Sequence, residues 1–235
     1  MRQAAHVCKE KPMSYICLLA NKNGAAVSGD TRTSKNFAGE KPFKVMNDKR
    51  RKVFISDSEK VIWALAGVTT LFGWDYFKQL RRVMKKDSVL FEVRLENYIK
   101  IMKKATRRYH RRFRTDGSST ILFASYMKEE NPEVGSITVK NGEVISDVRY
   151  DLPVFAEAGS NFARLTEREK FRPGTDDTVA RMKMNAARRT AEAVRVDRRL
   201  SEEDVFYRPA VGGSVLVKAI KAGKTDETGS AGKLD

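Results

Sequence analysis

Ser14 and Asp30 are the residues from which chemistry can be built in this chain. They bracket the stretch Met13–Asp30 (MSYICLLANKNGAAVSGD): an apolar run, an Asn-Gly pair, a run of small residues and a carboxylate. A serine hydroxyl is a weak nucleophile until a neighbouring base takes its proton. Histidine, the usual base, occurs only as His6 in a polar leader and His110 inside a basic run, so a Ser-His-Asp triad has almost no material. An α-amino group, with a pKa of about 8, is another base that can serve. Ser14 carries one only as an amino terminus. Translation from Met13 with trimming before the small serine, or removal of a leader over Met1–Pro12, would each produce it. Residues 1–13 are therefore expected to be a leader, a propeptide or a mis-assigned start.

The elements that must position these groups follow from the pattern. Ser14 opens one strand, Asn23-Gly24 has the chemistry of a two-residue hairpin turn, and Asp30-Thr31-Arg32-Thr33 ends the second strand. Ser34–Arg51 is polar, basic and turn-rich, and reads as a long loop. Lys52–Ile55 and Lys60–Gly67 form a second hairpin rich in β-branched and apolar residues. With Thr69 or Thr70 as N-cap, a helix is expected over Leu71–Lys86 with Trp74, Phe77, Leu80 and Met84 on one stripe. A second, over Phe91–Arg112, carries Phe91, Leu95, Tyr98, Met102 and Tyr109.

Ser119–Tyr126, Ser136–Val139 and Glu143–Tyr150 read as a second antiparallel set, the last two joined by Asn141-Gly142. A short helix is expected over Asn161–Lys170. A longer one runs from Thr175 or Asp176 to about Arg198, and a last strand covers Gly212–Ile220. Blocks of strands and helices argue against a parallel doubly wound sheet. The expected fold class is α+β: a four-layer αββα sandwich of two antiparallel sheets flanked by helices. One domain over residues 14–223 would precede a polar, disordered tail over 224–235.

Composition bounds the function. Hydrophobic residues at 41% suit one globular core, and a mean hydropathy of −0.51 with no long apolar run leaves nothing to span a bilayer. Cys8 and Cys17 have no metal or redox spacing; Cys17, mid-strand, reads as a core residue, and a reduced cytoplasmic protein follows. No metal or cofactor is expected. The net charge of +16, dense over Lys100–Arg114, points to phosphate-rich or acidic partners, yet a solvated helix face is the plainer reading and no nucleic-acid-reading motif accompanies it.

With the elements in place, the chain resembles the β-subunit family of the proteasome and its bacterial peptidase relatives, amino-terminal-nucleophile hydrolases, from Ser14 to about Gly223. Asp30 follows Ser14 by sixteen positions, as in that family, and Asp30-Thr31-Arg32-Thr33 is close to its Asp-Ser-Arg motif. Lys52-Val53 and Ala66-Gly67 match the catalytic-lysine hairpin, Ala158-Gly159-Ser160 the Gly-Ser element and Val211-Gly212-Gly213 the late Gly-Gly entry. Arg208 and Val211 depart from it, standing where an Asp and a Ser are usual.

The resemblance implies peptide-bond hydrolysis through an acyl-Ser14 ester. Lys52 would lower the pKa of the amino group or hydroxyl, Asp30 would fix Lys52, the Gly67 N–H would face the oxyanion, and Ser160 would support the nucleophile. It also implies a polypeptide substrate, a homo-oligomeric ring, and an ATPase or acidic partner. Residue by residue, plainer readings stay open: Ser14 as a strand-start serine, Asp30 with Arg32 as a hairpin-end ion pair, Lys52 as one of a solvated cluster, Gly67 as a turn residue, Ser160 as an N-cap. Two other functions remain beside the peptidase: a catalytically silent ring-forming subunit, and a basic nucleic-acid-binding protein on the same fold.

Overall fold

A computed structural model describes residues 14–35, 44–47, 49–68, 70–71, 74–86, 88–128, 131–159, 168–203 and 211–223. The first hairpin is β1 (Tyr15–Asn21) and β2 (Gly24–Asp30), with Asn21 paired to Gly24. Its two loop residues are therefore Lys22 and Asn23, one position earlier than the Asn23-Gly24 turn expected. The Asn21 side chain accounts for the shift, because its oxygen accepts the Asn23 N–H at 2.9 Å. That bond folds the loop locally.

The stretch expected to be a long loop contains a short antiparallel ribbon, β3 (Thr33–Lys35) with β4 (Lys44–Asn47). Short strands without apolar alternation leave little for sequence patterns to detect. The chain then returns beside the end of β2, where the Arg50 N–H donates to the Thr31 carbonyl at 3.0 Å. β5 (Val53–Ile55) and β6 (Val61–Gly67) follow as expected.

Beyond them come the small pair β7 (Thr70–Leu71) and β8 (Trp74–Asp75), and only then α1 (Tyr76–Lys85). The helix starts later than predicted because Asp75 is its N-cap, accepting the Lys78 N–H at 3.1 Å. Trp74 is thus a strand residue. Phe77, Leu80 and Met84 are buried on the helix as the stripe required. α2 (Phe91–Phe113), β9 (Ser118–Ser125), β10 (Glu133–Lys140), β11 (Glu143–Arg149) and β12 (Val154–Gly159) complete the middle of the chain.

Arg168–Phe171 forms one 3-10 turn, overlapping the end of the short helix expected over Asn161–Lys170, whose residues 161–167 lie outside the described residues. α3 (Val179–Glu203) begins after Thr178, whose hydroxyl accepts the Arg181 N–H, instead of at Thr175 or Asp176. β13 (Val215–Lys221) is last. Ser160, Arg208, residues 1–13 and the expected tail over 224–235 lie outside the described residues.

The strands make one four-stranded antiparallel sheet, β12-β1-β2-β13, and one five-stranded antiparallel sheet, β11-β10-β9-β6-β5. The two early hairpins thus belong to different sheets. Side-chain alternation fixes the layers. Ile16, Leu18, Ala20 and Val27 pack between the sheets against Ile62, Ala64 and Leu122. Tyr15, Cys17, Leu19 and Ala26 face Met182, Ala186 and Ala193 of α3. Trp63, Leu65, Phe123 and Ile137 face Leu80, Leu95, Tyr98 and Met102 of α1 and α2. This is the expected αββα sandwich of two antiparallel sheets between helices.

Tyr126 ties the sheets together. It follows β9, yet its hydroxyl reaches the carbonyls of Asn21 at 2.7 Å and Gly24 at 2.6 Å in the other sheet. Tyr126→Phe is expected to lower stability by about 1–2 kcal/mol with the fold retained, because buried carbonyls lose a donor. Urea denaturation of the two proteins measures the difference.

Candidate active site

Both sheets end at the same place, and that end holds Ser14, Asp30, Lys52 and Gly67. The start of β1, the end of β2 and the end of β12 are level, because Tyr15 pairs with Gly159 and Ile16 with Gly29. The start of β13 joins them through Val215 and Asp30. On the other sheet the start of β5 lies beside the end of β6, with the Leu65 N–H donating to the Lys52 carbonyl at 3.0 Å.

Asp30 and Lys52 join the two ends. The Lys52 ammonium donates to Asp30 Oδ1 at 2.9 Å, with side-chain exposures of 4% and 0%. It also donates to the Arg32 carbonyl. The same Asp30 Oδ1 accepts the Tyr15 N–H at 2.8 Å, while Oδ2 accepts the N–H groups of Arg32 at 3.1 Å and Gly212 at 3.2 Å. A buried carboxylate needs this many donors, since an unpaired one would be expelled or neutralised. Asp30 is thus the meeting point of β1, β2, the lysine and the loop before β13.

Ser14 is almost fully buried at the mouth of β1, one residue from the Tyr15 amide that Asp30 holds. Its carbonyl lies against Gly159, where a Cβ would come within 1.8 Å of that oxygen, and Gly159 has φ +123. No other residue type fits there without moving the backbone. Gly67 closes β6 with φ +110, and a Cβ on it would stand 2.1 Å from the Ser118 carbonyl. Along β6 the Leu65 N–H points to the β5 side, so the two-residue period directs the Gly67 N–H to that side too, past the start of β5.

The structure therefore brings Asp30 and Lys52 into contact, seats Ser14 beside the pair through Tyr15, and aims the Gly67 N–H toward the end of the sandwich where Lys52 lies. Ser160 cannot be placed.

Burial pushes the Lys52 ammonium below its ordinary 10.5; Asp30 opposes that shift, and the charges of Arg50 and Arg32 reinforce it. A lysine in this setting can exchange a proton nearer neutrality than a surface one. Cys17, by contrast, is a core thiol as expected, its pKa raised to about 11 by burial. It cannot serve as a thiolate near neutral pH. Among the described residues, no group of three His, Cys, Asp or Glu could hold a metal, and no helix is long and apolar enough to cross a membrane.

Several supporting residues fall outside the motifs read from the sequence. The Thr31 hydroxyl accepts the Ser214 N–H at 2.8 Å, and the Thr31 and Arg32 N–H groups donate to the Gly212 carbonyl at 3.2 and 3.0 Å. Asp197, buried on α3, accepts the Val211 N–H at 3.0 Å. On the α3 face of the sheet, Glu157 accepts the Tyr15 hydroxyl at 2.7 Å and both Nε and Nη2 of Arg189, at 3.1 and 3.3 Å. Burial, with the Glu157 charge, raises the Tyr15 pKa well above 10.0, so Tyr15 stays protonated and donating.

No protein-family model and no curated protein matches the chain. Among solved structures it is similar to Anbu (Gly-1) mutant from Hyphomicrobium sp. strain MC1, at 14% identity and a TM-score of 0.53, over 92% of this chain and 86% of that one. This likeness shows the fold. Also similar are Anbu (ancestral beta-subunit) from Yersinia bercovieri, at 13% identity, TM-score 0.49 and coverages of 90% and 84%, and a second Anbu structure from Hyphomicrobium sp. strain MC1, at 13%, 0.48, 91% and 85%.

The resemblance drawn from the motifs is thereby corrected. The solved structures named above are Anbu proteins, a family related to the proteasome but distinct from it. The reason is physical: Gly67 and Gly159 stand at positive φ against backbone and the Asp30–Lys52 pair joins the two sheets, so in this chain these residues also do structural work and do not by themselves tell one family from another. The chain has a proteasome-like fold, the αββα sandwich.

Two outcomes are expected. Asp30→Asn should destabilise the protein by about 3–5 kcal/mol, because it leaves a buried ammonium without its counter-charge and turns an NH2 group toward N–H donors; denaturant unfolding reads the loss. Lys52, followed by NMR through its side-chain carbon shifts, should titrate below 10.5. Between that midpoint and 10.5 the unfolded chain binds more protons, so this group's contribution to stability rises with pH there. A midpoint at or above the surface lysines would contradict the burial effect.

Proposed function

We propose that this protein is an amide-bond hydrolase acting on polypeptides, with Ser14 as amino-terminal nucleophile once residues 1–13 are removed. The observation that carries the reading is the buried Asp30–Lys52 pair, whose shared oxygen also seats the Tyr15 N–H immediately after Ser14. The free α-amino group of Ser14 takes the hydroxyl proton. The alkoxide attacks the scissile carbonyl, and the amino group then passes that proton to the leaving amine. Lys52, held by Asp30 as a cation, lowers the pKa of the amino group or the hydroxyl.

The Gly67 N–H stabilises the oxyanion, a role typically worth about 3 kcal/mol, and Ser160 supports the nucleophile. Water then releases the acyl group from Ser14. Assembly as a homo-oligomeric ring in the cytoplasm belongs to the same proposal.

Val211 favours a second reading. Its buried apolar side chain, next to the Gly212 that Asp30 holds, brings no hydroxyl to this end of the sandwich, and its N–H is committed to Asp197. The alternative is a catalytically silent ring-forming subunit.

Mass spectrometry of the native protein is expected to show a chain beginning at Ser14, and an acylating probe should label that residue. Ser14→Ala should remove labelling and lower kcat by about a thousandfold or more. A processed chain that the probe never labels would favour the silent subunit. Permanent retention of residues 1–13 would sink the mechanism.

A further inference from the structure

We propose that the outer face of α1 and α2 is a docking surface for the phosphate backbone of a nucleic-acid duplex. The apolar stripe of α2 is buried against the sheet and α1, through Leu95, Tyr98, Met102 and Ala105. The opposite stripe is cationic. Lys104, Arg107, Arg108, Arg111 and Arg112 fall at i, i+3, i+4, i+7 and i+8 and are exposed, with Lys100 and Arg114 exposed at either end. No Asp or Glu occurs between Glu96 and Asp116, and none within α1, whose Lys78, Arg81 and Arg82 are exposed or partly exposed alongside.

The acidic neighbours at the ends are engaged. Glu96 pairs with Lys100 at 3.9 Å and Asp116 with Lys140 at 2.6 Å.

A helix benefits from basic residues only in its last turn, where the dipole favours cations. That accounts for Arg111 and Arg112, while Lys100 pairs with Glu96, Arg107 donates to the Gly142 carbonyl at 3.4 Å and Arg108 to the Tyr76 hydroxyl at 3.1 Å; none of these contacts explains why the cations are gathered on one acid-free stripe. Residues repelling one another along one stripe destabilise the helix slightly, and a polyanion relieves that repulsion. At about 1.5 Å per residue the stripe from Lys100 to Arg114 is roughly 21 Å long, matching about six phosphates along one strand.

The composition of the face separates a duplex from an acidic protein. The stripe is mainly arginine, whose planar guanidinium matches phosphate oxygens in pairs. Protein interfaces are built around buried apolar anchors. Among the described residues, the exposed large hydrophobic ones are Leu90, Val93, Ile145, Val148 and Met184, and none interrupts the basic stripe. Nothing on this face reads base edges, so binding is expected to be independent of sequence.

The test is fluorescence anisotropy of the full chain with a labelled 20-base-pair DNA duplex between about 50 and 200 mM salt. The expected result is binding that weakens steeply with salt. A variant carrying Lys104→Gln, Arg108→Gln, Arg111→Gln and Arg112→Gln should bind at least tenfold more weakly, with a log–log salt slope shallower by roughly three to four. The charge-keeping variant Lys104→Arg, Arg108→Lys, Arg111→Lys and Arg112→Lys should keep the steep slope.

As a control, Arg188, Arg195, Arg198 and Arg199 on the exposed side of α3 are replaced by Gln, which removes the same charge elsewhere. That variant should bind nearly as the natural chain does. Equal loss in both Gln variants would overturn the proposal in favour of bulk charge, as would absence of duplex binding at the lowest salt. Binding of polyglutamate to this face without binding of the duplex would overturn it in favour of an acidic protein. Far-UV circular dichroism and thermal unfolding verify that each variant is folded.

Discussion

A single carboxylate organises the end of this sandwich. Asp30 sits at the end of a strand whose neighbours on both sides, together with a lysine from the facing sheet, direct donors at its two oxygens. Burying such a group is costly unless every lone pair is used, so the fold cannot satisfy Asp30 without also fixing the start of β1, the return of the chain at Lys52 and the loop at Gly212. Three segments distant in sequence are placed by one electrostatic requirement. Glu157 does comparable work on the α3 side of the sheet, binding Tyr15 and Arg189 and so holding the first residue of β1 from its other end.

What the sequence conveyed about the fold depended on how local each signal was. The stripe of Phe77, Leu80 and Met84, that of Leu95, Tyr98 and Met102, and the strands on either side of Asn141-Gly142 all declare themselves within a few residues. The partition of strands between sheets does not. β1 pairs with β12, more than a hundred residues away, and both faces of β1 are buried, so its composition carries no clue to which layer it faces. The β3–β4 ribbon escaped for the opposite reason, being short and polar. The late start of α1 was legible in principle, since Asp75 is a better cap than Thr69 or Thr70 and Gly73 is a poor residue for a helix interior.

At the site, Asp30 and Lys52 could be named because their side chains carry the chemistry and the spacing. Their partners could not, because most are backbone groups: the N–H of Tyr15, of Arg32 and of Gly212, and the carbonyl of Arg32, have no residue-type signature. Arg189 and Asp197 lie on α3 at positions where an amphipathic pattern places charge inward, and such inversions are the trace a buried ionic contact leaves in a sequence. The family was harder still, because the residues that suggested it also do structural work in this chain.

The attachment of β1 has a consequence for how such a chain could mature. The strand pairings that seat it begin at Tyr15, and it is the Tyr15 amide, not that of Ser14, that Asp30 holds. Scission of the bond between residues 13 and 14 would therefore leave those strand pairings and the Asp30 bond intact. The framework is built one residue downstream of the place where the chain would be cut, so those pairings can form before the cut.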